Sequence, residues 1–258
     1  LLSILILSSQ FLTIYADSGI QYETINDIPF FQESQDNYAS WKRQLKPDNS
    51  RMLASVQSSK YTISNEFLEA TVDNTDEEGK FTIGTTGGDP DIETDNYVVL
   101  LYGHPTPWSS ITTINIDGEY YIFRATSFTQ TENEIIAEMT IGDILIQQVI
   151  ALVNNETTNR EDLIKISYNI INKGDSEANV GVRIMLDTML GRNDGAPFRL
   201  PGLGAVTTEK EFVGANVPQF WQAFDDLDNP SVISNGTVYK SIQEKPDKIQ
   251  FAYWADIY

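Results

Sequence analysis

The sequence contains no cysteine and a single histidine, His104. The first absence excludes disulfide frameworks, thiolate zinc sites, iron–sulfur clusters and thiol nucleophiles together. The second excludes zinc sites built from two or three imidazoles. Basic residues are scarce as well: 17 Lys and Arg stand against 37 Asp and Glu, for a formal net charge of −20 and an isoelectric point near 4.2. A surface this acidic repels phosphate backbones and anionic headgroups, which argues against nucleic-acid and membrane-surface partners. Calcium on oxygen ligands and neutral ligands such as carbohydrate remain open. Hydrophobic residues make up 41%, with 12 Tyr, 12 Phe and 4 Trp, enough to build a substantial core rather than a disordered chain.

One apolar run stands out, LLSILILSSQFLTIYA at residues 1–16. Its polar interruptions leave it short of the roughly 20 apolar residues a membrane span needs. It reads as the apolar part of a signal peptide with Ala16 at the cleavage position, and no membrane insertion is expected after cleavage. The alternative is a buried strand or short helix. Residues 17–58 are polar and uneven, with a short helix expected at 37–45, and read as a leader or linker. Residues 59–258 read as the main domain. A strand at 248–254 is followed by only four residues, so further sheet partners are expected beyond Tyr258. A secreted chain without cysteine suits a bacterial secreted or cell-surface protein. The sequons at Asn155 and Asn235 carry meaning only in a eukaryotic secretory route.

From Lys60 onward the dominant signal has period two. Ile164, Ile166, Tyr168 and Ile170 alternate with Lys165, Ser167 and Asn169, and Val180, Val182, Ile184 and Leu186 alternate in the same way. Such segments place one face in a core and the other toward water, and these two strands are expected to pair with one another. Hairpins are expected at 111–124, turning on Asp117-Gly118, and at 134–153, turning on Gly142-Asp143. No stretch after Lys60 shows a capped helical stripe over three turns. The predicted fold is all-β, a large two-sheet antiparallel β-sandwich longer than an immunoglobulin domain and continuing past the C-terminus.

Five segments carry candidate chemistry. The Gly-rich stretch 81–90 lacks the Lys-Ser/Thr of a phosphate loop and no helix follows it, so it reads as a turn. Asp89 and Asp91, and again Asp225, Asp226 and Asp228, present carboxylates that suit either a structural Ca²⁺ or a solvated acidic loop; the EF-hand template fails at its Gly and Glu positions. No other cofactor is expected. In the segment 100–110, Tyr102, His104 and Trp108 follow an apolar strand. An aromatic face on a rigid loop stacks on a sugar ring, or else Trp108 caps the core and His104 satisfies a backbone group. A Ser109–His104–Asp triad lacks the Gly-x-Ser-x-Gly elbow. In the segment 186–199, Asp187, Arg192, Asn193 and Asp194 lie on a Gly-bent connection. They suit a hydroxylated ligand or a cation, or an internal Asp–Arg pair that pins the loop.

The motifs GKFTIGTTGGDPD, LLYGHPTPWSS and VGVRIMLDTMLGRNDGAPFRLPG, in that order, resemble a group of uncharacterised secreted bacterial surface proteins across residues 60–258. The strand pattern is more distantly similar to the β-supersandwich of galactose mutarotase-like domains. That likeness implies a supersandwich fold. Mutarotase-type enzymes use a catalytic His and Glu, whereas His104 stands here in an unmatched context.

Two functions follow as expectations. The first is a non-catalytic extracellular β-sandwich module that binds carbohydrate or supports neighbouring surface domains, with Tyr102, His104, Trp108, Asp187, Arg192, Asn193, Asp194 and Trp221 as ligand contacts. The second is a glycoside hydrolase-like enzyme fragment in which Asp187 and Asp194 act as acid and base and Trp108 or Trp221 supports the sugar.

Overall fold

The computed structural model describes the backbone of residues 3–8 and 12–14, and residues 60–73, 79–242 and 245–252 in full. The leader or linker at 17–58, with its expected helix at 37–45, lies outside the described residues. The chain is all-β and sandwich-like, and every strand pairing is antiparallel. Helical turns among the described residues are confined to two 3₁₀ segments at Glu93–Asp95 and Gly214–Asn216.

Among the described residues the strands form four hydrogen-bonded sheets where two were expected. The largest has the order β15 (Lys210–Val213), β18 (Lys248–Ala252), β1 (Ser3–Ser8), β12 (Ala178–Thr188), β6 (Ile111–Ile116), β7 (Glu119–Ile122), with β2 (Leu12–Ile14) also on β12. A second has the order β11 (Arg160–Asn172), β10 (Ile144–Asn155), β9 (Glu134–Ile141), β8 (Ser127–Gln130). The other two are smaller, β14 (Gly204–Val206), β13 (Phe198–Leu200), β16 (Phe220–Phe224), β17 (Ile233–Thr237), and β3 (Lys60–Ser64), β4 (Leu68–Asp73), β5 (Lys80–Thr85).

Both expected hairpins form. Asp117 and Gly118 take φ of 50° and 88°, the left-handed pair that a two-residue turn matched to strand twist requires. The expected pairing of the 163–170 and 180–186 strands is not found. β11 pairs with β10, and β12 pairs with β6 and β1. The alternating patterns explain the difference: Tyr168 and Ile170 of β11 and Val180 and Val182 of β12 belong to one core cluster. The two strands thus face each other across the core instead of lying side by side. A period-two pattern fixes which face is buried but leaves the neighbour open.

Among the described residues two apolar clusters fill the space between the sheets. One joins Ile114, Phe123, Ala137, Met139, Ile144, Ile146, Val180 and Val182, so that β6 and β12 pack on β9 and β10. Across this interface a polar cluster is also buried: Gln148 Nε2 donates to Thr112 Oγ1 (3.1 Å) and to Tyr168 Oη (2.8 Å). The other cluster joins Phe81, Leu186, Phe198, Trp221, Ile249 and Phe251, with the Phe198 and Phe251 rings edge to face at 4.8 Å. Ile184 of β12 packs against both.

Candidate functional site

The two segments singled out in the sequence meet at the end of β12. The Tyr102 N–H donates to the Asp187 carbonyl (2.8 Å), the Met189 N–H to Leu100 (3.2 Å) and the Gly191 N–H to Val99 (3.0 Å). These bonds stitch the β5–β6 connection to the β12–β13 connection. They also satisfy backbone groups on the β6 side of β12 past Met185, where the ladder with β6 ends while that with β1 continues to Thr188.

At the centre of this junction lies a buried carboxyl. Asp187 is 2% exposed; its Oδ2 accepts the Ser109 hydroxyl, and its own N–H donates to Ser110 Oγ (3.0 Å). Its other oxygen, Oδ1, is buried without a hydrogen-bond partner. Burial pushes the Asp187 pKa up to about 6, against the lowering effect of the Ser109 hydrogen bond and with a further push from the nearby charge of Asp194. Burial also raises the Asp194 pKa, and its Oδ1 is likewise buried and unpartnered.

The remaining expected residues divide clearly. Asn193 serves the loop itself, donating to the Asp225 carbonyl (2.6 Å) and accepting the Gly195 N–H (2.9 Å). Arg192 is exposed, and no ion pair joins it to Asp187 or Asp194 among the described residues. His104 is packed against Gly84, where any Cβ would collide with its ring. Its Nε2 lies 3.6 Å from Glu69 Oε1, and its Nδ1 is buried and unpartnered. Burial lowers the His104 pKa even though Glu69 pulls it upward. The imidazole therefore does not bridge Ser109 and a carboxylate, and Ser109 bonds Asp187 directly. Glu69 and Gly84 carry no sequence signal that marks them as partners of His104.

The two tryptophans have opposite settings. Trp108 is 63% exposed, so it does not cap the core, and Tyr97 on the same connection is 86% exposed. Trp221 is 7% exposed and sits edge to face with Phe198 at 5.5 Å, with Gly236 against its ring. Trp221 is a core residue here, and its ring has no open face for a sugar.

Several of the acidic side chains hold backbone N–H groups of their own loops. Asp89 Oδ1 accepts the Asp91 N–H (3.1 Å), and the Asp89 N–H donates to Asp95 Oδ2 (2.9 Å). Asp225 accepts the N–H groups of Ser231 (2.9 Å) and Val232 (3.1 Å), and Asp226 those of Asp228 (2.8 Å) and Asn229 (3.0 Å). Among the described residues no group of three or more His, Asp or Glu side chains is arranged to hold a metal ion.

The chain matches no family model, no curated protein and no solved structure.

Proposed function

We propose that this chain is a non-catalytic extracellular β-sandwich module of a bacterial secreted or cell-surface protein, and that the stitched loops at the end of β12 bind carbohydrate. The observation that carries the reading is the exposure of Trp108 on a connection held to β12 by backbone hydrogen bonds. A ring presented on a fixed backbone loses little conformational freedom on binding, and its apolar face suits the C–H face of a sugar. Tyr97 and Arg192 are exposed on the same two connections and supply further stacking and hydrogen-bonding capacity.

The second reading, a glycoside hydrolase-like fragment, draws on the raised pKa of Asp187, which suits a general acid. A general acid must touch the glycosidic oxygen. Asp187 instead lies under Ser109 and Ser110, both buried with it, which favours a structural carboxyl.

The test is a panel of bacterial, plant and host polysaccharides on which retained protein and released sugar are scored together, with wild type and Trp108→Ala in parallel. Retention without release, abolished by Trp108→Ala, is the expected result. Sugar release would establish the enzyme reading, and binding untouched by Trp108→Ala would remove this loop from the account.

A further inference from the structure

β1 is seated between two strands that make no ladder with each other. β12 pairs with β6 on one side and β1 on the other, and β18 pairs with β15 and β1. Because β1 is antiparallel to both, β12 and β18 run parallel, one strand-width apart. The register sets Leu5 opposite Leu186 and Phe251, and Leu7 opposite Ile184 and Ile249. Leu186, Ile249 and Phe251 belong to the larger core. On the alternate positions Ile4 stands opposite Asp187 and Ala252, and Ile6 opposite Met185 and Gln250; Met185, Asp187 and Ala252 are buried too. This position in the sheet therefore calls for a strand that is apolar at successive residues, the pattern of sheets covered on both faces.

The segment that meets this demand is the one that reads as the apolar part of a signal peptide. Its removal would leave two facing rows of backbone donors and acceptors over a hydrophobic core, an arrangement that invites another strand.

We propose that the groove between β12 and β18 is a strand-acceptor site, in which an extended apolar segment of another polypeptide replaces residues 3–8 after export. The proposal rests on the reading of the chain as an exported module. The incoming segment runs antiparallel to both walls and is uncharged and apolar at four central positions. Small polar residues flank these, as Ser3 does beside Thr188 and Ser8 beside Arg183 and Lys248. Backbone hydrogen bonds supply the affinity and the buried side chains of the walls supply the selectivity.

The experiment expresses the full chain in an exporting bacterial host and reads the location and intact mass of the product first. A synthetic peptide of residues 1–10 with lysine tails is then added to the exported form. We expect a product lacking residues 1–16 that binds the peptide saturably, with Tm raised by about 5 °C at saturation. A peptide with Leu5→Asp and Leu7→Asp should not bind. Since the chain has no cysteine, register is read directly: an Arg183→Cys protein should form a disulfide with a Ser8→Cys peptide and not with a Ser3→Cys peptide. A product that is unfolded until the peptide is added gives the same support.

Exported protein that retains residues 1–16 overturns the proposal, because the groove is then never vacated. So does processed protein, monomeric or self-associated, that ignores the peptide, because it is completed by its own chain. Absence from the exported fraction overturns the export reading itself, and this is known before any peptide is added.

Discussion

The Ser109 hydroxyl donates to the carboxylate of Asp187, 78 residues further along the chain, and both residues are buried. This bond joins the loop that carries Trp108 to the strand that runs through the middle of the largest sheet, so the position of the exposed ring depends on a carboxyl it does not touch.

That carboxyl should make stability depend on pH. Its folded-state pKa of about 6 lies above the ordinary 3.8, so the folded chain holds the proton more tightly than the unfolded one. The stabilisation is complete below pH 3.8 and is lost as the pH rises through 6. The shift corresponds to about 3 kcal/mol as an upper value. Asp187→Asn keeps an acceptor for Ser109 and removes the charge. Denaturant titrations from pH 4 to pH 8 should show the variant gaining on wild type as the pH rises; parallel curves would mean that Asp187 does not titrate in this range.

Trp108→Ala should leave stability within about 0.5 kcal/mol of wild type, as expected for an exposed side chain outside any network. Polysaccharide retention should be lost. A fall in Tm of many degrees would place the ring in the packing instead.

Gly84→Ala should destabilise the domain by about 1–3 kcal/mol, the usual cost of overpacking, because the added methyl collides with the His104 ring. Combining it with His104→Ala should recover much of the loss. Thermal melts of the two single variants and the double variant form a cycle, and additive losses would show that the two residues do not meet.

Tyr168→Phe removes a hydroxyl that sits between Thr112 (2.5 Å) and Gln148 (2.8 Å) in the buried interface. Burial raises the pKa of this Tyr to about 12, against the lowering effect of both hydrogen bonds, so the phenol stays neutral through the physiological range. The variant should lose about 1–3 kcal/mol at every pH from 5 to 9, because Thr112 and Gln148 are left short of a partner. A loss that grows sharply toward pH 9 would contradict the neutral phenol.

The all-β class and the two hairpins were legible because alternation and the Asp117-Gly118 turn are local signals. The four-sheet division was not, since Val180 and Ile170 carry the same pattern whether their strands pair or oppose. The sequence also brought the 100–110 and 186–199 segments forward as candidates. It could not show that Ser109 bonds Asp187 while His104 turns toward Glu69, because these partnerships span 78 and 35 residues. Trp108 and Trp221 look alike as residues. They are separated by setting: one follows a Pro on a connection, and the other occupies an inward position of a strand. The carboxylates of Asp89, Asp225 and Asp226 read as an acidic cluster, yet each accepts an N–H of its own turn, a role that short acidic side chains commonly take in loops.

β12 contributes Val180 and Val182 to one cluster and Leu186 to the other. The two halves of the interior share this strand, so its departure opens both. The amide hydrogens that β12 donates to β6 should therefore exchange among the last, through global opening, and unfolding should be a single cooperative event without a half-melted species.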